Sequence, residues 1–167
     1  IMGEPTFAAG NVGQGISLDG TDDYVTIDDS PYWDFGAGDF AISAWIKLNP
    51  GELGNYGGIV SRWEFSTGDK RRWELVLGND DSARIVISSD GADSGSVDAR
   101  TGAGSLTSGV WYHVVGLRDE NTLRIYVNGG EKNSTSFTAF SIPDDDLPIV
   151  IGRLQPIGSG NYFDGTI

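Results

Sequence analysis

The densest grouping of chemically capable side chains in this sequence is Arg62-Trp63-Glu64, followed by Lys70-Arg71-Arg72-Trp73. It forms a basic and aromatic patch in an otherwise acidic chain. Flat aromatic faces beside planar guanidinium groups are what a shallow carbohydrate site uses, because rings stack on sugar faces and polar side chains take up the hydroxyl hydrogen bonds. Trp33 and Tyr56, with Tyr32 and Asn55 beside them, lie in or next to loop sequence and extend the surface. The candidate carbohydrate-binding set is therefore Trp33, Tyr56, Arg62, Trp63, Arg72 and Trp73. The same residues would also serve to cover the edges of a core, since stacking on a ligand and packing on a neighbour look alike in sequence.

Catalytic chemistry has fewer footholds. His113 is the only histidine, and it falls inside the run Trp111-Tyr112-His113-Val114-Val115, sharing a face with Trp111 and Val115. That placement marks a scaffold residue rather than an acid–base catalyst. There is no cysteine nucleophile, and a serine triad cannot be built around one strand-borne imidazole. Glu74 stands alone between Trp73 and Leu75, and Asp144, Asp145 and Asp146 lie in a loop bounded by prolines. No catalytic residue is assigned, and the chain is expected not to be an enzyme. Asp22-Asp23, after Gly20, forms a second acidic spot.

The 24 acidic and 11 basic side chains give a formal charge of −13. Such a surface repels phosphate backbones and anionic lipid, so neither nucleic acid nor membrane is an expected partner. A chain of this size buries roughly 70% of its unfolded surface without disulfide staples. No apolar run approaches membrane-spanning length and none opens the chain as a leader, so the protein is expected to be soluble, with any export signal already removed. The 25 glycines supply the turns that an all-β chain requires.

Strand patterns run over 15–18, 24–27, 40–48, 58–63, 72–77, 84–88, 110–118, 122–127 and 149–153, separated by turn clusters such as Gly78-Asn79-Asp80-Asp81-Ser82. No window keeps a helical period. Parallel pairing would need long crossover segments that are absent, so the fold class is all-β, an antiparallel two-sheet sandwich. Alternation puts Phe40, Ile42, Ala44 and Ile46 on one face of their strand. Leu123, Ile125 and Val127 share a face in the same way, as do Trp73, Leu75 and Leu77, and these three sets should meet between the sheets.

The stretch from Trp111 to Gly129 reads as a β-hairpin around Asp119-Glu120-Asn121, closing on the Asn128-Gly129 turn signal. It resembles the signature hairpin of laminin-G-like domains, the concanavalin-A-like jelly rolls. Ile16-Ser17-Leu18-Asp19-Gly20 with Tyr24-Val25, Phe40 to Lys47, Ile149 to Gly152, and Phe163-Asp164-Gly165-Thr166-Ile167 match the same family in order. The resemblance implies one laminin-G-like jelly-roll domain over 1–167, in which His113 occupies a structural position. It also implies a non-catalytic extracellular or cell-surface module that recognises carbohydrate or a glycosylated partner. A structural or assembly subunit of a larger surface protein or filament is the alternative. Glycoside hydrolase is a third reading, but the alternating Glu-x-Asp-x-x-Glu carboxylates of laminarinase-type relatives are missing.

The resemblance further implies a rim calcium ion held by Asp69, the carbonyl near Val86, the Ile142 carbonyl and Asp144, hard oxygen ligands of the kind calcium prefers. The consecutive acid and amide ligands of pentraxins are replaced here by Arg72-Trp73 and Arg153-Leu154-Gln155. In the family, Phe-x-Gly-x-Ile opens a long final strand, so Phe163 to Ile167 leads to the expectation that this strand is lacking or is supplied by another chain through strand addition. Asn133-Ser134-Thr135 fits the N-glycosylation sequon in an expected loop.

Overall fold

The structure, a computed structural model, describes residues 1–64, 68–154 and 161–167. Its strands are β1 (Thr6–Ala9), β2 (Gln14–Asp19), β3 (Val25–Ile27), β4 (Phe40–Leu48), β5 (Gly57–Glu64), β6 (Lys70–Leu77) and β7 (Ala83–Ser88). They continue as β8 (Ser96–Arg100), β9 (Trp111–Asp119), β10 (Thr122–Val127), β11 (Gly130–Ser136), β12 (Ile149–Ile151) and β13 (Asp164–Thr166). Two sheets form, a seven-stranded one in the order β1-β2-β13-β4-β9-β10-β11 and a six-stranded one in the order β3-β12-β5-β6-β7-β8. Every pairing is antiparallel, so the fold is the expected β-sandwich.

Alternation decides which side chains enter the space between the sheets. Phe40 and Ile46 of β4, Leu123, Ile125 and Val127 of β10, and Trp73, Leu75 and Leu77 of β6 all belong to one buried cluster. The sheets approach so closely that a Cβ on Gly116 would lie 2.7 Å from Ile85, which restricts that position of β9 to glycine. The hairpin of β9 and β10 forms in the expected register, with Asp119 opposite Thr122. Asn128 and Gly129 both take positive φ, 51° and 78°, the geometry a two-residue hairpin turn needs.

Four strands escape the sequence pattern. β11, expected as a loop, is an edge strand paired only with β10 and solvated along nearly its whole length; it therefore lacks the apolar alternation that reveals a half-buried strand. β8 closes the edge of the other sheet with only Val97 and Ala99 turned inward. β1 pairs only with β2, at the opposite edge of the larger sheet.

β13, within the Phe163 to Ile167 motif, lies inside the seven-stranded sheet. Asp164–Thr166 occupies the place between β2 and β4 itself, with Gly165 opposite both Leu18 and Leu48. It meets β4 only at Lys47 and Leu48. Beyond them is a cleft of about 260 Å³ whose lining includes Gln14, Gly15, Ser43, Ala44, Trp45 and Ile167.

Candidate functional site

The basic and aromatic run singled out in the sequence does not stay together. A strand sends successive side chains to opposite faces, and a register shift between Arg62 and Trp63 separates these two neighbours further. Trp73 turns into the main core at 2% exposure. Trp33 packs against that core from a 3-10 turn at Pro31–Trp33. Tyr56, in the loop before β5, is the one aromatic of the expected set that remains exposed. These residues disperse rather than form one platform, because the core claims the large apolar rings.

Arg62 is 1% exposed and anchors a closed polar cluster. Its guanidinium donates to the Leu147 carbonyl at 3.0 Å, to the Trp33 carbonyl at 3.3 Å and to Asp29 Oδ1 at 2.6 Å, and it also bonds Asp34 and the Asp145 carbonyl. Arg72 joins from β6 by donating to Asp145 Oδ2 at 2.5 Å. Trp73 Nε1 donates to the same Trp33 carbonyl that Arg62 uses, at 3.3 Å. A guanidinium offers five donors in a fixed fork, and here they reach five residues in two loops, at 29–34 and 145–147. This is tertiary glue.

The outer face of the six-stranded sheet is arranged differently. Glu74 of β6 lies opposite Ser61 on one side and Val86 on the other, and Val86 lies opposite Asp98 of β8. Around this row is a cleft of about 420 Å³ lined by Trp63, Arg71, Glu74, Arg84, Asp93 and Asp98, with Val86 and Ser96 completing its wall. The Arg71 guanidinium lies 6.0 Å from the Trp63 ring centroid and 3.2 Å from Asp69 Oδ1. Arg84 Nε is 3.5 Å from Asp98 Oδ2, an ion-pair distance, yet it makes no hydrogen bond. Glu74 Oε2 is likewise buried and unbonded. Burial pushes the Glu74 carboxyl up to about 8, against the pull of Arg84 and Arg71 and with a push from Asp93. Trp63 is only 7% exposed, packed in a small cluster with Val76, Val86 and Leu154, and guanidinium donors and carboxyl acceptors converge beside its edge on one concave surface.

Glu52 is a second displaced carboxyl, outside this cleft. Burial pushes it up to about 8, and the charge of Asp164 adds to the shift although the Asp164 N–H donates to Glu52 Oε2 at 3.1 Å.

The acidic residues expected at a rim calcium each face an arginine. Asp69 meets Arg71, and Asp144, largely exposed, lies 3.6 Å from Arg62. Val86 is buried in β7 beside the cleft, and Ile142 is buried with its N–H donating to the Gly36 carbonyl at 2.9 Å. Among the described residues, the acidic side chains that come together with metal-ligand spacing are Asp19, Asp22 and Asp23, their oxygens within 4.8 Å of one another. Asp23 already accepts the backbone N–H groups of Glu4 and Asp19, at 2.7 and 3.2 Å. His113 sits on the outer face of the seven-stranded sheet, its ring 5.0 Å from that of Trp45.

Of the expected carbohydrate-binding set only Trp63 lines this cleft, and Arg84, Asp93, Ser96 and Asp98 were not in that set. The signal was available in β7, where Ile85 and Ile87 alternate with Arg84 and Val86, and a polar residue opposite a core face points outward. β8 carries Ser96 and Asp98 on the same side, but its small, polar composition hid the strand.

A two-sheet antiparallel jelly roll is the architecture of the concanavalin A-like domains. The family pattern of the concanavalin A-like lectin/glucanases superfamily, in its laminin G group, matches residues 19–167, and the chain belongs to that family. No curated protein sequence matches it. Among solved structures, the binding domain of Paraclostridial Mosquitocidal Protein 1 superposes with a TM-score of 0.70 at 21% identity, covering 99% of this chain and 42% of that one. The chain thus spans less than half of that structure. The CBM40 of the Ruminococcus gnavus IT-sialidase, solved with α2,3-sialyllactose, gives 0.70 at 16% identity over 92% of this chain and 85% of that one. Domain 4 of AbnA, a GH43 extracellular arabinanase from Geobacillus stearothermophilus solved with arabinotriose, gives 0.64 at 18% over 98% and 72%. At such identities the likeness concerns the fold.

Proposed function

We propose that this domain is a non-catalytic extracellular module that recognises carbohydrate, and that its ligand binds in the cleft of β5 to β8. The observation that carries the reading is the convergence of Trp63, Arg71, Glu74, Arg84 and Asp98 on one open cleft, the mixture of aromatic face and planar polar groups that sugar recognition needs. Membership of a lectin and glucanase superfamily, and fold relatives solved with sialyllactose and arabinotriose, support the ligand class. The test is calorimetric titration with a panel of soluble oligosaccharides, alongside an assay for released reducing ends. Binding without hydrolysis is expected, and it should weaken in Asp98→Ala while folding stays cooperative. Hydrolysis of any panel member would overturn the non-catalytic reading, and an absence of binding across the panel would overturn the carbohydrate reading.

A further inference from the structure

Two polar atoms in the cleft of the six-stranded sheet lack a hydrogen bond. Glu74 Oε2 and Arg84 Nε are both shielded from solvent and neither makes a hydrogen bond, although Arg84 Nε stands at ion-pair distance from Asp98, and both residues line the cleft. They are diagonal neighbours on one sheet face, since Glu74 lies opposite Val86 and Arg84 precedes Val86 by two positions. Diagonal side chains of this length can act on one small group together. A buried donor or acceptor left unmade costs about 1–3 kcal/mol, so native proteins keep few of them and tend to keep them for a purpose.

The charges around the pair restrict what can satisfy it. Arg71 faces Asp69 at 3.2 Å and Arg84 faces Asp98 at 3.5 Å, so both cleft guanidiniums already have acidic neighbours. Asp93 adds a further carboxylate to the lining. An acidic ligand would meet Asp93 and Asp98 at close range, within a chain of net charge −13. A hydroxyl group carries no such penalty, and it both donates and accepts. One sugar hydroxyl can bond the Glu74 carboxyl while another accepts from Arg84, at a wall behind which Trp63 and Val86 are packed.

Resting on the carbohydrate reading of this cleft, we propose that Glu74 and Arg84 are its specificity-determining pair, that they bond two hydroxyl groups of a neutral sugar, and that the neighbouring carboxylates select against acidic sugars. The experiment titrates the wild-type domain with arabinotriose, cellotriose, laminaritriose and lactose as neutral probes and with sialyllactose as the acidic probe. It then repeats this for Glu74→Leu, Glu74→Gln, Arg84→Met and Asp98→Asn. At least one neutral probe should bind more tightly than sialyllactose. Its affinity should fall about tenfold or more in Glu74→Leu and Arg84→Met, the loss of roughly one buried hydrogen bond. Glu74→Gln keeps a hydrogen-bonding amide and should stay much closer to wild type, and Asp98→Asn should improve sialyllactose binding.

Thermal unfolding of each variant separates lost binding from lost folding, and if Glu74→Leu does not fold, Arg84→Met and Glu74→Gln carry the test. Preferential binding of sialyllactose that is abolished by the same variants would overturn the neutral-sugar inference while leaving the cleft as the site. Neutral binding unmoved by all four substitutions would place the ligand elsewhere and overturn the cleft reading itself. No binding to any probe would count against both.

Discussion

Arg62 and Arg84 lie on the same six-stranded sheet, two strands apart, and they end in opposite circumstances. Around Arg62, carboxylates and carbonyls from two loops close in until the residue is 1% exposed and richly bonded. Around Arg84, the acidic neighbour stands at 3.5 Å, the Nε goes unbonded, and the adjacent Glu74 keeps an unbonded oxygen as well. Charge and residue type are nearly the same in both, and the two guanidiniums differ in how fully they are bonded, although Arg72 Nε and Trp33 Nε1 beside Arg62 also lack a hydrogen bond.

The largest effect should come from breaking the closed cluster. Arg62→Met leaves Asp29 and Asp34 without their cation, and removing one partner of a buried pair costs about 3–5 kcal/mol. Urea unfolding of the variant checks this, and a loss under about 1 kcal/mol would erase the contrast between the two arginines. Trp73→Ala should come next, at about 3–5 kcal/mol for an emptied core site, whereas Trp63→Ala, at the wall of the cleft, should cost less stability and more ligand affinity. Equal stability losses in the two variants would show that Trp63 is packing alone.

The pH dependence of stability probes the open cluster directly. Glu74 and Glu52 titrate near 8 in the folded protein against an ordinary value of 4.5. The folded state therefore holds protons that the unfolded chain has released, and the stability these groups contribute is complete below about pH 4.5 and declines as pH rises through 8. The unfolding midpoint should be several degrees lower at pH 9 than at pH 5, and Glu74→Gln and Glu52→Gln should each flatten the slope. A midpoint that rises over this range would show both carboxyls to be ionised in the fold.

The smallest effect concerns the rim calcium inferred from the family resemblance: if the ion binds, it should give a gain of about 1.4 kcal/mol at tenfold excess over its dissociation constant. Asp69→Ala and Asp144→Ala should each remove it, and its removal by Asp22→Asn instead would assign the ion to the trio of Asp19, Asp22 and Asp23.

How far the sequence reaches follows from what periodicity can carry. β4, β9 and β10 were legible because each buries one face and solvates the other, as Ile46 against Trp45 and Ile125 against Arg124 illustrate. β11 and β8 were not, since edge strands answer to backbone pairing more than to side-chain burial. The fates of Arg62 and Trp63 were illegible for a different reason: a register shift between adjacent residues leaves no mark in composition. Asp29, Asp34 and Asp145 reach Arg62 across 28 to 83 positions of chain, as long-range as any contact in the core.

The short strand β13 has a mechanical consequence. In the seven-stranded sheet, β1 and β2 form one ribbon and β4, β9, β10 and β11 another, and among the described residues they are joined through Asp164–Thr166 and the adjoining Ile167, which bonds Ile16. This narrow stretch acts as a button between two pieces of cloth. Local opening should start at that seam, with the N-terminal ribbon peeling as a unit before the rest of the sheet gives way. Amide hydrogens shared by β2 and β13, such as that of Ile16, should exchange faster than those in the middle of β9, where Val114 and Gly116 are held by neighbouring strands on both sides.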